Sequence, residues 1–419
     1  MEDNIGNDED YTQNQLFEER ALITDKKGQL KKKNLNIIPI ILTSLITSIL
    51  IISGLYFLGF FEEVAIPEQK TITITETIKE KELVIPRIDS SEIVTIAEIA
   101  TQTIVQLLIG FQNEDGEFIS QGGGSGVVLS EDGLIITNHH VIDMENEILD
   151  GLADDTSVAT EVRVVFEDGR MYGAEVIGSD KLTDVGLIKI GAKGLSPIVV
   201  GKSSKLVVGD LAVAIGHPLT LGAEPTVTTG IISALNRRLD VGGDLEAPVT
   251  LFGLIQTDAP ITRGSSGGAL LNKRGELIGI TTAIATADVG AEGLGFAIPI
   301  DLALSVVEDL VNEGTVLHSF LGILGSQNFD VAEDGARIFA GVKIEELYGP
   351  ANDVYAIGKA GALPGDIIKS LDGRELRTLD QLITMLRSKR AGEQVKIEIL
   401  RDGEIIILMF ELDLRPSDI

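Results

Sequence analysis

Asp-Gly pairs recur through the chain from about residue 92 onward, among them 115–116, 132–133, 168–169, 334–335, 372–373 and 402–403, each beside short β-branched runs. Asp-Gly between apolar runs is the strongest short-range hairpin signal, because both residues tolerate positive φ. The stretch VRVVFEDGRMYGAEVIG (162–178) shows the pattern in full. Hairpins at this spacing, with almost no helical period before residue 300, predict barrels or sandwiches rather than alternating βα units. The expected fold class is mostly β.

Two helices break the pattern. In PIDLALSVVEDLVNEG (299–314) the residues Leu302, Val306, Leu310 and Val311 fall near helical spacing, and Gly314 offers a C-terminal stop. This helix reads as a connector. Farther on, Thr378 and Gln381 match a capping box, and Leu379, Leu382, Ile383 and Leu386 form one apolar stripe, read as core. Two strands follow it.

The N-terminal region is of another kind. No charged residue lies between Lys33 and Glu62, and Ile37 to Phe60 as a helix is long enough for a hydrocarbon layer of about 30 Å. Pro39 falls in the first turn of that helix, where a missing N–H matters little. The run is too long for a cleaved signal, a tail precedes it, and no Ala-x-Ala site follows. Residues 35–61 are therefore expected to be an uncleaved transmembrane helix. Lys26, Lys27, Lys31, Lys32 and Lys33 before it, against Glu62, Glu63 and Glu68 after it, keep residues 1–34 cytoplasmic as a disordered tail. Residues 62–90, with TITITET, read as an extended stalk, and everything beyond the span is extracytoplasmic.

A chain of 419 residues is expected to hold two or three folded units. Its net charge of −30 argues against a nucleic-acid partner. Without cysteine there are no disulfides, thiolate catalysis or zinc–thiolate sites, and with only His139, His140, His217 and His318 a histidine-rich metal site is not expected. No metal or cofactor is called for.

The string RGSSGG (263–268) is either a flexible turn or the setting of a nucleophile. A hydroxyl needs a base, a group to orient that base, and N–H donors for the oxyanion. Upstream, His139 and His140 end a strand after SGVVLSEDGLIIT, and Asp184 heads the apolar strand Val185–Ile190. Gly264 to Gly268 also satisfies the G-x-S-x-G elbow of α/β-hydrolases. That fold needs a helix after the serine and a downstream Asp and His, whereas here a hairpin around Lys273-Arg274-Gly275 follows and only His318 lies downstream.

The strings GSGVVLSEDGLIITNHHVI, TDVGLIKI, GDLAVAIGHPL, TVTTGIISALNR, QTDAPITRGSSGGALLN and GLGFAIPID, in this order, resemble the HtrA/DegP family of extracytoplasmic serine proteases, with a chymotrypsin-like double β-barrel. The resemblance covers about residues 92–303. It implies a protease domain over 91–303 in which His140 is the general base, Asp184 its orienting carboxylate and Ser266 the nucleophile. The backbone N–H groups of Gly264 and Ser266 would form the oxyanion hole. Ser265 stands where the family has Asn, Ala269 where Pro is usual, Gly186 where Ala is usual, and His217, a loop residue, where Asn is common.

Pro260 occupies the position where trypsin-like enzymes that select basic side chains carry Asp, so small or medium aliphatic residues are expected before the cut. The primary pocket would draw on ITTAI (280–284) and the loop that follows it. After a connecting helix or linker over 304–318, residues 319–414 resemble a PDZ domain (α+β). Phe320, Leu321, Gly322 and Ile323 look like its carboxylate-binding loop, GALPGDIIKSLDGREL matches a PDZ core string, and the helix from Leu379 is the groove's second wall. The stretch 325–341 fits that pattern poorly. The resemblance further implies homotrimers packed through IVTIAEIATQTIVQLLIGF (93–111). The function implied is a membrane-anchored endopeptidase for misfolded or signalling proteins, regulated by C-terminal peptides at the PDZ groove. The alternative is a chaperone or peptide sensor with minor proteolysis.

Overall fold

The computed structural model describes residues 90–113, 115–143, 161–218, 224–241, 249–282, 294–349 and 353–416. The expected tail (1–34), transmembrane helix (35–61) and all but the last residue of the stalk (62–90) lie outside the described residues. Among the described residues no helix is long and apolar enough to cross a membrane.

An 11-residue helix, α1 (Ser90–Ala100), opens the described chain. The sequence pattern had suggested no helix here, since Ile93, Val94, Thr95 and Ile96 are β-branched and poor helix formers. Tertiary burial of Ile96 and Ala100 decides the matter.

Twelve strands then make two closed six-stranded barrels. The first contains β1 (Ile104–Gln112), β2 (Phe118–Val128), β3 (Leu134–Thr137), β4 (Glu161–Val165), β5 (Met171–Asp180) and β6 (Val185–Ile190), in the order β1-β2-β3-β6-β5-β4. A single helical turn, α2 (His139–Ile142), follows β3. The second contains β7 (Leu211–Gly216), β8 (Thr226–Val241), β9 (Val249–Thr257), β10 (Ala269–Leu271), β11 (Leu277–Thr282) and β12 (Gly295–Pro299), in the order β7-β8-β9-β12-β11-β10. The two orders are the same, so one topology occurs twice. The named Asp-Gly pairs lie at the expected hairpins. Each of their glycines has positive φ, and at 372–373 and 402–403 the Asp does too.

One apolar cluster joins the barrels. Val127, Ile136 and Leu187 of the first pack with Val213, Ile215 and Leu251 of the second. Helix α3 (Ile300–Glu313), expected as a connector, adds Ile300, Ala303, Val306, Val307 and Leu310 to the same core, and Gly314 closes it in the left-handed region. Val311, which shares the helical spacing, is exposed. A shared core of this kind resists rotation of one barrel against the other.

The last unit contains β13 (Ser319–Phe320), β14 (Ile323–Val331), β15 (Arg337–Leu347), α4 (Ala356–Lys359), β16 (Ile367–Leu371), β17 (Arg374–Glu375), α5 (Leu379–Arg387), β18 (Gln394–Arg401), β19 (Glu404–Glu411) and β20 (Asp413–Leu414). Its main sheet runs β14-β15-β16-β18-β19, with β14 at one edge. The poorly matching stretch 325–341 is the hairpin β14–β15. The capping box of α5 is present, Thr378 accepting from Gln381 N–H while the Gln381 side chain accepts from Thr378 N–H. Leu382 is buried in this unit's core with Leu379 and Leu386 packed against it. Arg390 ties the unit to α3 through Glu308 and Asp309, both at 2.9 Å.

Asp366, directly before β16, is buried and accepts from Arg401 Nε and Nη2, both at 2.6 Å. Burial pushes its carboxyl up, but the Arg401 guanidinium and the Leu363 N–H overcome this and hold it below the usual aspartate range. A lowered carboxyl contributes stability that is in place above about pH 4 and lost as pH falls through the lowered value. Asp366→Ala is expected to destabilise the C-terminal unit by about 2 kcal/mol in urea unfolding at pH 7, with the difference from the parent shrinking in acid.

Candidate active site

The residues singled out from the sequence come from three chain segments that the barrels bring to their junction. His140 sits in α2, directly after β3, and Asp184 directly precedes β6, the neighbour of β3 in the sheet. His140 Nδ1 lies 2.9 Å from Asp184 Oδ1 and 3.0 Å from Oδ2. The His140 backbone N–H donates to the same Oδ1 at 3.1 Å, and Thr282 Oγ1 donates to Oδ2 at 3.3 Å. With Nδ1 on the carboxylate, Nε2 is the nitrogen left for a hydroxyl proton. Asp184 is held at φ 58°, unusual for a residue with a Cβ, while its carbonyl accepts from Asn138 Nδ2 at 3.0 Å and His139 N–H at 3.2 Å.

His139 faces elsewhere. Its Nδ1 is 2.8 Å from Ser179 Oγ and its Nε2 3.1 Å from Asp143. His217 does lie in a loop, but fully buried at the barrel junction.

Ser266 is buried, and its carbonyl accepts from the Ser125 N–H at 2.7 Å. A Cβ built on Gly124 would lie 2.9 Å from both the Ser266 carbonyl and Val141 Cγ2, so the serine loop and the turn bearing His140 close on the same glycine. Within the loop, Ser265 N–H donates to Thr262, Gly267 N–H to Thr281 and Gly268 N–H to Ser265. These bonds fix the course of the loop backbone on both sides of Ser266. Gly264 and Gly267 have φ of 92° and 82°. A Cβ on Gly267 would stand 2.1 Å from the Ser125 carbonyl, so no other residue fits. A cavity of about 90 Å³ adjoins the loop, lined by Gly216, Pro218, Thr228, Pro260, Ser265 and Thr281 among others, none of them charged. The loop 283–293, expected to help form the specificity pocket, lies outside the described residues.

Ser125 was not singled out from the sequence. Its hydroxyl donates to the Gly264 carbonyl at 2.8 Å and accepts from the His217 N–H at 2.8 Å, while its own carbonyl accepts from Thr137 Oγ1 at 2.7 Å. Thr282 was missed as well. The available signal for Ser125 was a hydroxyl in an otherwise apolar inward stretch, GSGVV.

In the C-terminal unit, Phe320 stacks edge-on against Tyr355 with ring centroids 5.0 Å apart, and Gly322, at φ 72°, lies against the same ring. Leu321 is buried in the core, so only its backbone is available to a ligand, and Ile323 opens the edge strand β14. Helix α5 runs beside that edge, with Leu379 N–H donating to Gln327 Oε1 at 3.2 Å.

Residues 124–280 match the trypsin-like peptidase domain, and residues 333–412 match the PDZ domain. The chain is 38% identical over 304 residues to the periplasmic pH-dependent serine endoprotease DegQ of Escherichia coli (strain K12), covering 71% of this chain and 60% of that protein. It is 36% identical over 316 residues to the serine protease PepD of Mycobacterium tuberculosis, covering 74% of this chain and 62% of that one. Among solved structures, the HtrA-type protease AlgW with decapeptide superposes with a TM-score of 0.56 at 30% identity, over 77% of this chain and 99% of AlgW.

Ser125→Ala is expected to destabilise the barrels by about 1–3 kcal/mol in urea unfolding, because the buried His217 N–H and Gly264 carbonyl lose their shared partner. Slower reaction of Ser266 with a fluorophosphonate should accompany it.

Proposed function

The chain belongs to the HtrA-type family of serine endoproteases, and from that membership we propose that it is a membrane-anchored, extracytoplasmic serine endopeptidase regulated through its PDZ domain. The observation that supports this most is the His140–Asp184 pairing, two Nδ1 contacts and one backbone bond onto a single buried carboxylate.

In this reading Ser266 Oγ attacks the scissile carbonyl carbon while His140 Nε2 takes the hydroxyl proton. Asp184 holds the ring's tautomer and balances the imidazolium without being protonated itself. The oxyanion meets the N–H groups of Gly264 and Ser266. Collapse of the tetrahedral intermediate expels the amine, which takes the proton from His140. A water molecule, deprotonated by the same ring, then releases the acyl group from Ser266.

Substrates are unfolded or signalling polypeptides cut after small or medium aliphatic residues, a preference that rests on Pro260. Membrane anchoring rests on the uncharged run Ile37–Phe60, and the extracytoplasmic side on the periplasmic naming of DegQ and DegP. The AlgW structures carry a tripeptide or a decapeptide, which favours a peptide at Phe320–Ile323 and along β14 here. A trimer would use the exposed Val94 and Ile99 of α1. The remainder of 93–111 is mostly strand β1, whose Ile104, Val105, Leu107 and Ile109 are buried within this chain.

With the full-length chain in detergent, a fluorophosphonate adduct should map to Ser266, and Ser266→Ala should lower casein hydrolysis by on the order of a thousandfold or more. Equal rates in both proteins would leave the chaperone or peptide-sensor reading. Peptides differing only at the residue before the cut should favour Val or Ala over Arg by at least about tenfold.

A further inference from the structure

Resting on the triad reading above, we infer that Arg387 and His318 are positioning residues for the catalytic carboxylate. Arg387 from the PDZ side and His318 from the connecting segment hold the turn Asp180–Asp184 that presents Asp184 to His140.

The turn joins β5 to β6, and its last residue carries the carboxylate in a left-handed conformation that needs outside support. One end is pinned by Asp180. Its Oδ2 accepts from the Thr183 N–H at 3.0 Å and from Thr183 Oγ1, and its Oδ1 is 2.8 Å from His318 Nε2. The middle is pinned by Arg387 in the last turn of α5, whose Nη1 donates to the Leu182 carbonyl at 2.6 Å. Nη2 of the same guanidinium donates to the Thr250 carbonyl of β9 at 3.1 Å, and its Cζ lies 4.9 Å from the centre of the Phe252 ring. One side chain from the C-terminal unit therefore touches both barrels.

The charges fit this role. Burial pushes the Arg387 guanidinium down to about 10, with the Asp180 charge opposing and Arg415 assisting, so it stays protonated at neutral pH. Burial also pushes Asp180 up, but His318 and the Thr183 bonds overcome it and hold the carboxyl below its ordinary value. Since α5 is also the wall of the proposed peptide groove, groove occupancy and carboxylate placement share one rigid element.

The test uses the full-length chain and a short chromogenic peptide, with kcat expressed per site titrated by fluorophosphonate. Arg387→Ala and His318→Ala should lower kcat by on the order of tenfold with KM unchanged. The acid limb of the kcat/KM pH profile should move to lower pH, because an imidazolium whose carboxylate is displaced gives up its proton more readily. His318→Gln, which can donate the same bond to Asp180, should restore both. If Arg387→Ala does not fold, the His318 pair decides. A kcat per site and acid limb equal to the parent's in the Ala variants, even with a lower Tm, would overturn the inference. No label on Ser266 in the parent would instead overturn the triad reading, and this inference with it.

Discussion

A single buried hydroxyl, Ser125 Oγ, ties the two barrels together where it matters. It belongs to the first barrel, yet both of its bonds reach the second, to the Gly264 carbonyl and the His217 N–H. Its backbone N–H and carbonyl add bonds to the Ser266 carbonyl and the Thr137 hydroxyl. Four bonds on one residue thus set the height of the serine loop against strand β3, which leads into the helical turn carrying His140. The proposed triad, split between two barrels, would work only if their relative placement is fixed to a fraction of an ångström. The shared apolar core supplies stiffness without direction, and the Ser125 bonds supply the direction.

The carboxylate is held by a second set of constraints. Asp184 follows a turn and precedes a fully paired strand, so its left-handed backbone is fixed on one side by the β3–β6 ladder and on the other by Asp180 and Leu182. Thr282, on β11, reaches it from the second barrel. Each barrel therefore contributes a group to the other's half of the site. Arg387 of the C-terminal unit and His318 of the connecting segment add their bonds, which gives a domain remote from the cleft a physical hold on it.

The C-terminal unit carries its own unfinished edge. Among the described residues β14 pairs with a strand on one side only, and α5 reaches it through the Leu379 N–H to Gln327 bond. Open edges invite strand addition, and proteins blunt those they do not use. Here the edge begins at Ile323, immediately after the backbone turn of Leu321 and Gly322, which is where an extended peptide's terminus would meet main-chain donors.

Much of this was legible in the chain. The Asp-Gly pairs marked hairpins, the capping box marked α5, and the motifs around His140, Asp184 and Ser266 marked segments that the barrels bring to their junction, because turns, caps and glycine-rich loops are local in sequence. Helix α1 was not legible, since its β-branched residues favour strand until Ile96 and Ala100 find a core. The exposure of Val311 was not legible either, because helical spacing gives a period but not which flank the core covers. By itself the sequence determined the order of the strands and the places of the hairpins, and it singled out His140, Asp184 and Ser266 as candidates. Only the tertiary structure decided that Ser125 clasps the barrels, that His217 is interior, and that Arg387 reaches across 205 residues to the turn beside Asp184. The physical reason is that these bonds join segments far apart in the chain, and no local periodicity records where barrel closure will bring them.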